Sequence, residues 1–211
     1  MPKPHRPTRL FESDLLESLS RVHPATPALV WTPIAIWLFW RSFATHHLDG
    51  YEIVGLGGGG LLAWSFFEYA MHRFLFHLAP VTPWRSRLQF IVHGVHHEDP
   101  SNPTRLLMPP APAIILAAVL YGVFRTILGP VWVEPFFASL LVGYLVYDYT
   151  HLAIHRGNLR TRLGRHLRRH HLLHHFVTPN ARWGVTSPLW DWVFGTGGRR
   201  PLSRNHIAVI G

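Results

Sequence analysis

The chain has no cysteine among its 211 residues, which excludes disulfides and thiolate metal ligands and leaves the redox compartment open. It has a single lysine against nineteen arginines, an imbalance that points to a GC-rich genome and hints at a bacterium. Acidic residues are also scarce, 11 against 20 basic, for a net charge of +9. Such charge can follow a phosphate backbone, but no nucleic-acid-binding motif is present and the arginines flank apolar runs instead of forming a basic arm. The first residues do not read as a signal peptide either, since they carry Pro2, Pro4 and Pro7 and then Glu12, Asp14 and Glu17. No internal sequence repeat is present. What the chain does have is 48% hydrophobic residues, nine of them Trp and thirteen Phe, gathered in runs with the charges between them. That distribution belongs to a membrane protein.

Residues 1–28 read as a Pro-punctuated N-terminal arm. Leu10, Phe11, Leu15, Leu16 and Leu19 are spaced for one short amphipathic helix, capped by Ser13 or Thr8, that would lie on a membrane interface. Four apolar segments follow, about 29–43, 53–69, 111–128 and 131–147. A spanning helix needs about 20 residues, so the four persuade as a set more than singly. The second carries Gly57-Gly58-Gly59-Gly60, where small residues let a neighbouring helix approach closely in lipid. Short links, His46–Glu52 and Gly129-Pro130, join the segments in pairs; Arg41 and Arg125 lie near them, and the other basic residues lie in the arm, the 70–110 loop or after 150. The positive-inside rule then puts both termini and the long loop in the cytoplasm. The expected fold is an all-α integral membrane protein with four transmembrane helices in two hairpins. Its membrane would be the bacterial inner membrane, or the endoplasmic reticulum in a eukaryote. A soluble bundle with buried helices is the alternative.

The histidines form four clusters, all on the inferred cytoplasmic side: His72 and His77; His93, His96 and His97; His151 and His155; and His171, His174 and His175. A lone histidine is more often a solvated or core residue, and the arginine-rich run 165–175 also reads as a basic surface helix. Ten imidazoles together exceed what one ion can hold, and two metals with five nitrogens each accommodate them. At about 100° per residue, His151 and His155 share a helix face, as do His93, His96 and His97. His72 and His77, five apart, point about 140° away from each other on a regular helix and are expected to serve different ions. Glu68 and Asp148, one turn before His72 and His151, are candidates to orient imidazole N–H groups. Nitrogen-only sites suit zinc, copper, nickel or iron. A histidine-rich dinuclear iron centre beside a bilayer could activate dioxygen against an unactivated C–H bond.

The stretches Glu68-Tyr-Ala-Met-His72-Arg-Phe-Leu-Phe-His77, His93-Gly-Val-His96-His97, Arg105-Leu-Leu-Met-Pro109-Pro110, Tyr147-Asp148-Tyr-Thr-His151 with His155, His171-Leu-Leu-His174-His175, and Gly184-Val-Thr-Ser187 running to Trp190-Asp191-Trp-Val-Phe-Gly195-Thr196 resemble the fatty acid hydroxylase/sterol desaturase superfamily. Within it the chain is most similar to the fatty acid 2-hydroxylases. The resemblance covers about residues 53–197 and implies a fatty acid hydroxylase membrane domain over 29–197, with four transmembrane helices under a helical cytosolic cap that carries two metal ions, followed by a C-terminal tail, 198–211. By motif position it assigns His72, His93, His96, His151 and His171 to one metal, and His77, His97, His155, His174 and His175 to the other. It implies hydroxylation at C2 of a long fatty acyl chain, free or within a sphingolipid, with iron for catalysis, zinc as a possible bound ion, and dioxygen as co-substrate. Relatives in animals and fungi carry a haem-binding b-type cytochrome domain; the arm here is too short for one, so a separate electron-donor protein is expected.

Tyr147 and Arg105 are candidates to hold the substrate head, and Trp183, Trp190, Trp192 and Phe194 to pack the cap on the membrane or line a tunnel. His23, His46, His47, His166, His170 and His206 fall outside the ligand pattern and read as solvated or interfacial. Other readings are sterol or carotenoid oxidation by the same superfamily, and a non-catalytic membrane metal-binding protein. The last would place ionisable residues along the spans, and the segments carry no such series.

Overall fold

A computed structural model describes residues 9–198. Thr8, His206 and all but the first residue of the expected 198–211 tail lie outside the described residues. Every regular element among the described residues is helical, with no strand. The α-helices are α1 (Asp14–Leu19), α2 (Thr26–Ala44), α3 (Gly50–Ala70), α4 (Pro83–Gln89), α5 (Val95–Glu98), α6 (Pro110–Arg156), α7 (Arg162–Phe176) and α8 (Leu189–Val193).

The four apolar segments lie in α2, α3 and the two arms of α6. Gly129 breaks α6 with φ 80° and ψ 172°, a backbone state open to glycine, and Pro130 follows where its missing N–H costs nothing. The break reverses the chain. Sixteen residues of straight helix would separate Tyr121 from Phe137 by about 24 Å, yet their ring centroids are 5.2 Å apart. The second arm is the centre of the bundle. Its Val133, Phe137, Leu140, Leu141 and Tyr144 pack with Trp31, Ala35 and Leu38 of α2 and Ala113 of the first arm. On α3, a Cβ at Gly60 would lie 2.0 Å from the Phe136 carbonyl oxygen and one at Gly57 2.9 Å from Ser139 Oγ, whereas Gly58 faces open space. The glycine run does let two helices close up, through positions 57 and 60 alone.

Charges locate the ends. Glu134, 1% exposed, pairs with Arg41 at 3.0 Å and His46 at 3.2 Å, so both short links lie at one end of the bundle. His46 is thereby a tethered residue, not a solvated one. At the opposite end, α3 and α6 run into their histidines. Among the described residues, the stretch Pro103–Arg156, which contains α6, is the one helix long and apolar enough to cross a membrane.

The arm is built differently from an ordinary amphipathic helix. Ser13 caps α1, but Leu15, Leu16 and Leu19 are exposed while Glu17 is buried. Glu17 accepts from the amides of Leu10 and Phe11 and from Arg21 and Arg105, and Arg105 also donates to Ser20 Oγ at 2.6 Å.

Candidate metal centre

Each cluster is delivered by a helix end. After Ala70, α3 loosens into a π-helix over Met71–Phe76, and the amide of His77 donates to the carbonyl of His72 at 3.2 Å. An i→i+5 bond puts residues five apart one turn above each other. The 140° separation expected for His72 and His77 therefore does not arise, and both point into the same space. A second π-turn, Phe90–Gly94, leads from α4 into α5 and carries His93 towards His97. The end of α6 supplies His151 and His155. α7, capped by Thr161, shows Arg162, Arg165 and Arg169 to the outside and buries His171 and His174. The basic-helix and metal readings of this run describe its two faces.

The ten imidazoles fall into two groups, each with its nitrogens within 4.8 Å of one another: His72, His77, His93, His97 and His174, and His96, His151, His155, His171 and His175. This differs from the division expected by motif position, which put His96, His151 and His171 with His72, and His155 and His175 with His77. The π-turn explains the pairing of His72 with His77. The i,i+4 spacing explains that of His151 with His155 and His171 with His175, and His174, about 100° round α7 from His175, joins the first group.

Within the first group the Nε2 atoms of His72 and His93, His93 and His97, and His77 and His174 are 3.2, 3.0 and 3.1 Å apart. In the second, His151 lies 3.0 Å from His96 and 3.1 Å from His171, and His171 lies 3.0 Å from both His155 and His175. With metal–nitrogen bonds of about 2.0–2.1 Å, ligands at right angles about one ion are about 3.0 Å apart. The nitrogens also have the right state. His72, His174 and His151 donate Nδ1–H to the carbonyls of Trp183 (2.6 Å), Ala181 (2.8 Å) and Leu106 (3.3 Å), which leaves Nε2 of each neutral ring as a bare lone pair. Burial, with the neighbouring imidazoles, holds His93, His96, His171 and His174 well below the ordinary histidine value and takes His77 and His97 to about 4. Neutral lone pairs facing each other at 3 Å repel unless a cation lies between them, so the donor set fits two metal ions.

The remaining candidates are sorted by their contacts. Neither Glu68 nor Asp148 accepts a hydrogen bond from any of the ten imidazoles. Glu68 takes the amides of Val185 and Thr186, and Asp148 is buried with Oδ2 unpartnered. Arg105 bonds Glu17 and Ser20 and also lines the apolar cavity. Tyr147 stacks on His151 with ring centroids 5.8 Å apart. Trp183 is buried against His77, and Trp190 bonds Ser65 of α3 through its indole N–H, 3.0 Å. His170 is buried and donates to Asp191 at 3.0 Å, contrary to a solvated role. Nothing in residue spacing marks Glu17, His170 or Asp191, although Asp191 lies in a quoted motif.

A cavity of about 570 Å³ runs from the arm to the cage. Leu10, Phe11, Leu16 and Leu19 line it at one side, Trp31, Leu120 and Leu140 in the bundle, and His93, His96 and His151 at its inner end. Its imidazoles come from both groups. Trp183, Trp190, Trp192 and Phe194 do not line it.

An all-helical protein with an apolar cavity ending on two groups of five imidazoles is of a class that could hold metal beside a bound apolar chain. The chain belongs to the fatty acid hydroxylase family, whose sequence model matches residues 58–196. It is 34% identical over 188 residues to a dihydroceramide fatty acyl 2-hydroxylase of Arabidopsis thaliana, covering 89% of this chain and 79% of that one. It is 35% identical over 213 residues to the fatty acid 2-hydroxylase of Homo sapiens, covering 90% of this chain and 57% of that one. A solved structure described as full-length scs7p, with only the hydroxylase domain visible, superposes with TM-score 0.83 at 32% identity, covering 90% of this chain and 73% of that one.

Proposed function

We propose that this protein is a membrane monooxygenase that hydroxylates C2 of a long fatty acyl group carried in a sphingolipid or as the free acid. The observation that carries the reading is the apolar cavity closed at its inner end by imidazoles of both groups. Its volume lies within the usual range of ligand sites, about 300–1,000 Å³. An acyl chain laid in it would meet the cage end-on, and the apolar walls would exclude water from the reacting carbon.

His72, His77, His93, His97 and His174 would hold one ion, and His96, His151, His155, His171 and His175 the other. Two iron ions bound there would supply dioxygen activation, and zinc would occupy the same nitrogens without redox chemistry. The overall change is one C2–H bond converted to C2–OH, with the second oxygen atom of dioxygen leaving as water. That balance takes two electrons and two protons, which a separate electron-transfer protein would supply. The chain's own contribution is to keep ten imidazoles neutral and aimed, and to hold the substrate dry. Tyr147, on the cavity wall against His151, would abut the reacting end of the chain.

We also propose four spans, α2, α3 and the two arms of α6, with both termini and the cage on the cytoplasmic side. The support is an apolar outer surface on each: Trp37 and Trp40 on α2, Val54 and Leu62 on α3, Ile115 and Ile127 on the first arm, Val146 on the second are all exposed. The arm, 1–28, would rest on the interface through Leu15 and Leu19, and 29–197 would form the hydroxylase domain.

Expression in a host whose own 2-hydroxylase gene is deleted tests the reaction. Return of 2-hydroxy acyl chains in the host's sphingolipids is the expected result, with a His171→Ala protein inactive. Unchanged lipid with well-expressed protein would refute the assignment.

A further inference from the structure

Residues 181–186, between α7 and α8, have no regular secondary structure, yet they supply the carbonyls that orient two histidines of one group. Trp183 O takes His72 Nδ1–H and Ala181 O takes His174 Nδ1–H. Four consecutive amides of the same loop end on two buried carboxylates. Asp191 accepts from Trp183 N at 2.9 Å and Gly184 N at 2.8 Å, and Glu68 accepts from Val185 N at 2.6 Å and Thr186 N at 2.8 Å. Both carboxylates have further donors. His170 Nε2 and Thr196 Oγ1 reach Asp191 at 3.0 and 2.7 Å, and Thr186 Oγ1 reaches Glu68. Burial would raise the Asp191 carboxyl, but these four donors hold it below its ordinary value, so it is an ionised acceptor.

In the second group such an orienting bond is made by His151 alone among the described residues, and no carboxylate holds its carbonyl partner. His151 donates to Leu106 O at a looser 3.3 Å, and the Nδ1 atoms of His96, His171 and His175 are buried without a protein partner among the described residues. Groups that orient metal-bound histidines typically change metal affinity 10–100-fold when removed.

We propose that Asp191 and Glu68, with His170 behind Asp191, are positioning residues for the His72 group alone, so that the two metal sites differ in affinity and the loop sets that difference. The inference rests on the reading that the ten imidazoles hold two ions. The geometry gives it a direction: weakening the clamp frees His72 and His174 to rotate and leaves the His96 group as it was.

The test uses the full chain in detergent micelles, stripped of metal and titrated with zinc alone, with bound zinc counted by elemental analysis. The wild type is expected to take up two zinc ions per chain. Asp191→Asn is expected to weaken one of them about 10–100-fold and leave the other unchanged, with helical content retained. In a His155→Ala background, where the His72 group holds the remaining tight ion, Asp191→Asn should weaken that ion. In a His72→Ala background it should leave the remaining tight ion, held by the His96 group, unchanged. Should Asp191→Asn fail to fold, Glu68→Gln, which acts on the other pair of amides, carries the same test. Equal weakening of both ions, or none at all, would overturn the clamp while leaving the cage intact. A wild type that takes up no zinc would overturn the cage and the clamp with it.

Discussion

The amide of His77 donates to the carbonyl of His72, five residues back, at 3.2 Å. That one bond places both imidazoles in the same half of the cage. On an α-helical register they would diverge, and the two imidazole groups would be composed differently.

Composition of the groups can be read from metal content. His72→Ala/His77→Ala removes two nitrogens from one group, so the protein is expected to keep one of two zinc ions at wild-type affinity. His72→Ala/His96→Ala strikes both groups and should weaken both ions. The division by motif position expects the opposite ranking, and zinc titration with elemental counting separates them.

The arm is held by Glu17 and Arg105 across 88 residues of sequence. Arg105→Ala leaves a buried carboxylate short of a partner, at a local cost of about 1–3 kcal/mol. Because Leu10, Phe11, Leu16 and Leu19 line the cavity, the arm should loosen over it. Faster tryptic cleavage near Arg21, with the unfolding midpoint of the bundle little changed, is the expected result.

Acid should loosen the same contact. Burial pushes the Glu17 carboxyl up, but the amides of Leu10 and Phe11 and the guanidinium groups of Arg105 and Arg21 outweigh it and hold it below 4.5. A carboxyl lowered in the folded state contributes docking that is complete above its unfolded value and is lost as pH falls through the folded one. The arm should therefore stay docked at neutral pH and release only in acid, below the ordinary glutamate value of about 4.3. The chain has no cysteine, so a dye on a single Glu12→Cys site can report it; Glu17→Gln should abolish the pH dependence.

Helix approach in the bundle depends on one glycine far more than on its neighbour. Gly60→Ala drives a methyl group into the Phe136 carbonyl and should cost about 1–3 kcal/mol or more. Gly58→Ala meets nothing within 4 Å and should be neutral or stabilising by up to about 1 kcal/mol. Thermal unfolding midpoints in detergent, Gly60→Ala below wild type and Gly58→Ala at or above it, give the comparison.

Much of this was legible in residue order. Apolar runs require helices that bury their backbone polar groups internally, and Gly129-Pro130 requires a break, so the helical class and the turn follow from local chemistry. The ten clustered histidines, without cysteine to compete, likewise announce a nitrogen cage. Their division does not follow, because spacing arguments assume a regular 3.6-residue helix, and the hydrogen-bond register after Ala70 is chosen by what the turn packs against. The same holds for Asp191 and Glu68, whose partners lie on a loop that has no periodicity to read, for His170, whose partner is Asp191 of α8, and for Glu17, whose burial depends on an arginine far along the chain. Sequence determined which atoms can bind metal and which segments are apolar; tertiary structure decided which imidazoles face one another, because only packing fixes the rotation of each helix end and the direction of each carbonyl.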